Sequence, residues 1–103
     1  MPRKHRVSFA ASAVQDLEEI RAWYLKLEVP EVGERLLQEV LIAVERLADF
    51  PESGRVLPEF GVPQLREVIH PPFRIVYRLD KDRVRVVRVW RSERLLRLGS
   101  VTK

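Results

Sequence analysis

Residues 65–94, LREVIHPPFRIVYRLDKDRVRVVRVWRSER, carry eight arginines and one lysine against four acidic residues. The planar guanidinium of arginine grips carboxylates and phosphates in a fork, so Arg66, Arg74, Arg78, Arg91 and Arg94 are candidates for holding an anionic target or partner. Trp90 ends the last strand of the stretch, where a core place and an interface place are both open to it. Chemistry on a bound phosphate needs, in addition, a group that moves a proton. His70 stands before two prolines at a strand end, a place that suits a solvated or locally hydrogen-bonded ring better than a general base. Tyr77 falls on the apolar side of its strand and reads as core. The chain has no cysteine, hence no disulfide framework and no thiolate nucleophile, and two histidines are too few for a histidine zinc site. No metal or cofactor is expected.

The charge is divided along the chain. Residues 1–64 hold eight Lys/Arg and eleven Asp/Glu, whereas residues 65–103 hold eleven and four. The basic surface therefore belongs to the C-terminal part, although the net charge is only +4. Of the 19 basic residues, only Lys4, Lys26, Lys81 and Lys103 are lysines. GC-rich coding also enriches arginine, but it does not explain the clustering.

These arginines need elements to carry them. At 103 residues with 46% apolar content, one domain with a small core is expected. The N-terminus lacks the apolar run of a signal peptide and nothing is long enough to span a bilayer, so a cytoplasmic place is expected. HRVSF reads as a strand with Val7 and Phe9 on one side. Ser12 with Gln15 forms a capping-box pattern, and Val14, Leu17, Ile20, Tyr24 and Leu27 recur at helical spacing, giving a helix over roughly 12–28. After Pro30, the stripe Leu36, Val40, Ala43, Val44 and Leu47 predicts a second helix that stops at Pro51. Residues 51–63 read as loop, with Arg55 placed to cap the end of the second helix, and LREVIH, FRIVYRLD and VRVVRVW read as three strands. In the middle strand Phe73, Ile75, Tyr77 and Leu79 alternate with Arg74, Val76, Arg78 and Asp80. The sheet should lay its apolar face on the helical hairpin and turn an arginine-bearing face outward. Trp23 beside Tyr24 is expected at the helix–sheet contact, with exposure of one ring to a partner as the alternative, and Arg83, Arg85 and Arg97 are expected as solvated charges.

The order strand, helix, helix, three strands, with SAVQDLEEIRAWY, LADFPESGR and LREVIHPPFRIVYR in sequence, resembles the RelE/ParE superfamily of toxins from type II toxin–antitoxin modules. The resemblance covers nearly the whole chain. It implies an α+β fold: an N-terminal strand, an αα-hairpin and a three-stranded antiparallel segment, forming one curved sheet packed on the helices, with the first strand beside the last.

The resemblance also implies one of two activities. RelE-like members cut mRNA on the ribosome, using lysines before the LR strand, the arginine of that strand, a later arginine and a C-terminal tyrosine or histidine–tyrosine pair. Here Arg66 matches the strand arginine, and Arg91 or Arg94 can stand for the later one. PEFGVPQ has no lysine, Ser92 and Leu98 align near the second arginine and the tyrosine, and no histidine follows His70. ParE-like members lack the ribonuclease set and poison DNA gyrase, which needs only a binding surface, and this is the first reading. The ribosome-dependent ribonuclease is the alternative. A basic nucleic-acid-binding module is a further one, disfavoured because exposed aromatics do not alternate with the arginines. The implied resting partner is an antitoxin, ParD-like or other, whose acidic C-terminal segment covers Arg66, Arg74, Arg78, Trp90, Arg91 and Arg94 in a hetero-oligomer.

Overall fold

The computed structural model describes residues 4–91. Strand β1 (Arg6–Phe9) leads into helix α1 (Ala11–Lys26), which is followed by helix α2 (Pro30–Glu45) and a 3-10 turn at Arg46–Ala48. Four strands follow: β2 (Arg55–Val56), β3 (Leu65–His70), β4 (Phe73–Leu79) and β5 (Arg83–Arg91). They form one open mixed sheet in the order β1-β5-β4-β3-β2, in which β1 runs parallel to β5 and every other pair is antiparallel. The last strand thus lies inside the sheet, between the first strand and β4.

The apolar stripes meet as their periodicity requires. Ile20 and Tyr24 of α1, Leu37, Val40 and Val44 of α2, and Leu47 pack on Phe73, Ile75, Tyr77, Val84, Val86 and Val89. Leu17 and Leu36 lie at the margin of this core. Val14 and Leu27, expected in the α1 stripe, are 42% and 51% exposed, and their places inside are taken by Ala13 and Asp16. The reason is close approach: α1 lies so near β5 that small or hydrogen-bonding side chains fit beneath it. The helices also touch closely, since a Cβ on Gly33 would stand 2.7 Å from the Tyr24 Cβ.

Three local expectations are corrected. The first residue before α1 is Ala10, with no side-chain cap, and Ser12 instead donates its hydroxyl to the Val87 carbonyl at 2.7 Å. The segment 51–63 contributes the short strand β2. Arg55 does not cap a helix end but pairs with Glu67.

Among the described residues, no strand lies beside the edge of β5 beyond Phe9, and α1 supplies partners there. The Val86 carbonyl accepts from the Ala10 N–H, the Val87 carbonyl from Ser12, and the Val89 N–H donates to Asp16 Oδ2 at 2.9 Å. Opposite this edge β5 carries a bulge, the register passing from Val76↔Arg88 to Tyr77↔Val86. The extra residue keeps Val84, Val86 and Val89 all on the helix side although their spacing breaks alternation.

Candidate functional site

Register divides the arginines between two faces. Leu65↔Arg78, Glu67↔Val76, Ile69↔Arg74, Arg74↔Trp90, Val76↔Arg88 and Arg78↔Arg85 lie on the face away from the helices. Arg66↔Tyr77 and Phe73↔Arg91 lie on the helix side. The expectation of one outward arginine face therefore holds for Arg74 and Arg78 and fails for Arg66 and Arg91. A single register pair separates them: Arg66 shares its face with buried Tyr77, not with Arg74.

Nor are the outer arginines all free. Glu67 is 1% exposed and receives Arg55 at 2.5 Å on one carboxylate oxygen and Arg74 on the other. Arg74, 7% exposed, also directs Nη2 at both oxygens of Glu59, at 3.0 and 2.9 Å. Burial opposes the Arg74 charge, but the Glu59 and Glu67 carboxylates more than offset it, so the guanidinium is held above its ordinary value. Beside this group Trp90 is half-buried, with the Arg88 and Arg74 guanidiniums 5.0 and 5.9 Å from its ring centre. Arg88 reaches around the open edge of β5 to fork Asp16 at 2.8 and 3.0 Å, and that hydrogen bond raises its pKa. Glu67, held by Arg74 of its own motif and by Arg55 of the earlier LADFPESGR segment, is thus the centre of the outer face.

On the helix side, Arg66 donates to the carbonyls of Pro63 and Gly54, tying the residue before β2 to the loop that leads into β3. Tyr77 beside it is fully buried, donating to the Pro51 carbonyl at 2.6 Å and accepting from the Gly54 N–H at 3.0 Å. Burial pushes this phenol up, against the Gly54 N–H. At the far end of β5, Arg91 donates to the Tyr24 hydroxyl and covers the Trp23 ring at 4.3 Å. Trp23 is 43% exposed, at the rim of the helix–sheet contact under Arg91, in contrast to buried Tyr24. His70 is hydrogen-bonded to Glu39 of α2 at 3.1 Å. Arg94 and Arg97 lie outside the described residues. Among the described residues, no cluster of three or more His, Cys, Asp or Glu could hold a metal ion, and no helix is long and apolar enough to cross a membrane.

The open mixed sheet on a helical hairpin is shared with solved toxin–antitoxin proteins. A chain of the chromosomal ParDE system of Pseudomonas aeruginosa superposes with a TM-score of 0.72 at 23% identity, over 85% of this chain and 96% of that one. The RelBE2 toxin–antitoxin complex of Mycobacterium tuberculosis gives 0.65 at 21% identity, over 85% and 98%. "Putative toxin Y4kP" of Sinorhizobium fredii is 32% identical over 84 residues, 80% of this chain and 82% of that protein. The family model for the ParE toxin of the type II toxin–antitoxin system parDE matches residues 7–96. This chain belongs to that family of toxins, within the RelE/ParE superfamily.

Proposed function

We propose that the protein inhibits growth by binding DNA gyrase rather than by cutting RNA, and that an antitoxin neutralises it. The supporting observation is that, among the described residues, Arg66, the strand arginine a ribonuclease would use, has no free proton-transfer group beside it. Arg66 is spent on backbone carbonyls, and the neighbouring Tyr77 hydroxyl is buried with both its hydrogen bonds made. His70 is four residues further along β3, roughly 13 Å at strand rise, and is engaged by Glu39. A ribonuclease needs a base, an acid and a charge-stabilising donor around one phosphate, and among the described residues these groups do not converge around Arg66. A gyrase poison needs a surface, and the outer face supplies one.

The antitoxin reading rests on the family match and on the solved relatives, which are a ParDE system and a RelBE complex. Exposed Trp23, Leu25, Leu27, Leu41 and Ile42 on the hairpin offer apolar anchors of the kind a segment that folds on binding requires.

The deciding experiment places purified protein in a gyrase supercoiling and cleavage assay and in a ribosome-dependent mRNA cleavage assay. Loss of supercoiling with accumulated cleaved DNA, and intact message, is the expected result. Codon-dependent cuts in ribosome-bound message, lost in a folded Arg66→Ala protein, would establish the ribonuclease instead.

A further inference from the structure

Arg55, Arg74 and Arg88 of the sheet are neutralised by carboxylates of the chain itself, but another group of arginines is not. Arg6↔Arg83 and Ser8↔Arg85 are register pairs of β1 with β5, and Arg78↔Arg85 is a pair of β4 with β5. Partners in register point to the same side of a sheet, so Arg6, Arg78, Arg83 and Arg85 all stand on the outer face, at the end that carries the β4–β5 turn. All four are exposed. Arg78 has a loose contact with Asp80, 3.5 Å between two half-exposed side chains, and Arg6, Arg83 and Arg85 have no ion pair among the described residues.

Adjacent strands are about 4.8 Å apart, well inside the roughly 8 Å screening length at physiological salt, so these charges repel one another. Like charges directly across a sheet are destabilising. Elsewhere this chain relieves such repulsion with Asp16, Glu59 and Glu67; here the cost is left standing, which is understandable if an outside anion covers the group.

We infer that Arg6, Arg78, Arg83 and Arg85 form a docking surface for the phosphate backbone of duplex nucleic acid, read without regard to sequence. An acidic protein segment is the other polyanion that could sit there. Such a segment needs apolar anchors to hold it, and of the large exposed apolar side chains most lie on the helices, at Phe50 and Phe60, and at Ile69 of β3, leaving Val62, whose carbonyl accepts from Leu65 opposite Arg78, as the one beside these arginines among the described residues. A duplex needs no anchor, since it presents about one negative charge per 1.7 Å of its axis and releases counterions when guanidiniums replace them. No exposed aromatic ring stands among the four, so contact is with the backbone and not with unstacked bases.

The test is fluorescence anisotropy of the full chain with a labelled duplex of random sequence, across a salt series. Arg83→Gln with Arg85→Gln should reduce the slope of log affinity against log salt by about 2 and weaken binding at low salt by about tenfold or more. Arg35→Gln with Arg46→Gln on the helical side makes the same change in net charge and should leave the slope unaltered. Equal losses in the two double variants, or a wild-type protein that does not bind the duplex at low salt, would overturn the assignment. So would a Gln effect confined to a polyglutamate peptide probe, which would make the surface a site for an acidic protein. Circular dichroism melting checks that each variant folds. Neither gyrase nor ribosomes are present, so the outcome is independent of the target proposed above.

Discussion

Glu67 shows how one side chain alters the meaning of its neighbours. Fully buried, it converts Arg55 and Arg74 from free cations into one network that also draws in Glu59. Glu67→Ala leaves the Arg74 guanidinium buried with only the half-exposed Glu59, and should cost about 3–5 kcal/mol in urea unfolding. Replacing both partners, Glu67→Leu with Arg74→Met, should recover much of that loss, because neither charge is then stranded. Glu59 adds a dependence on pH. The Arg74 hydrogen bond, with help from its own backbone N–H, holds its carboxyl below the ordinary value. A depressed carboxylate stabilises the fold above its unfolded pKa and loses that contribution as pH falls through the folded value. Glu59→Gln should therefore be less stable than wild type near neutral pH, with the gap closing as melting is followed into the acid range. The arginines are plain in the sequence, but their partners are not. Alternation along LREVIH places Glu67 opposite Val76, while Glu59 arrives from a loop whose path no periodicity describes.

At the scale of elements, periodicity reveals what packs face to face and misses what packs edge to edge. Both helices, their hairpin and strands β3 to β5 follow from the spacing of apolar residues. Asp16 and Ser12 do not, because they serve an open strand edge that exists only after β1 has stopped at Phe9. Strand β2 is too short to carry a pattern, and it is fixed instead by Tyr77 beneath it. Tyr77→Phe should cost about 1–3 kcal/mol by stranding the Gly54 N–H and the Pro51 carbonyl, lowering the melting temperature by roughly 4 °C or more. Gly54→Ala should be more damaging, since its Cβ would meet both the Tyr77 hydroxyl and the Glu67 carbonyl at 2.6 Å. In the main core, Ile75→Ala should cost about 2–5 kcal/mol, Leu17→Ala less, and exposed Val14→Ala little, a ranking that chemical denaturation can read directly.

Among the arginines of the whole molecule two groups contrast, one engaged by carboxylates of the fold and one left to solvent at the β4–β5 turn. Their variants should move stability in opposite directions. Arg88→Gln should lower the melting temperature, because Asp16 loses its forked partner. Arg83→Gln with Arg85→Gln should raise it at low salt, with the gain fading as screening grows. Connectivity adds a consequence of a different kind. Strand β1 begins at Arg6, yet the strand it pairs with runs from Arg83 to Arg91 and is itself the bridge between β1 and the rest of the sheet. During synthesis, the helical hairpin therefore emerges from the ribosome long before the surface it must cover, and the sheet cannot close until its last strand is free. A chain interrupted by a premature stop codon just before β5 keeps most of its residues but loses the centre of its fold. Harm to the producing cell should accordingly be all or nothing with translation length, and a ladder of truncated reading frames should lose growth inhibition abruptly within β5, not by degrees.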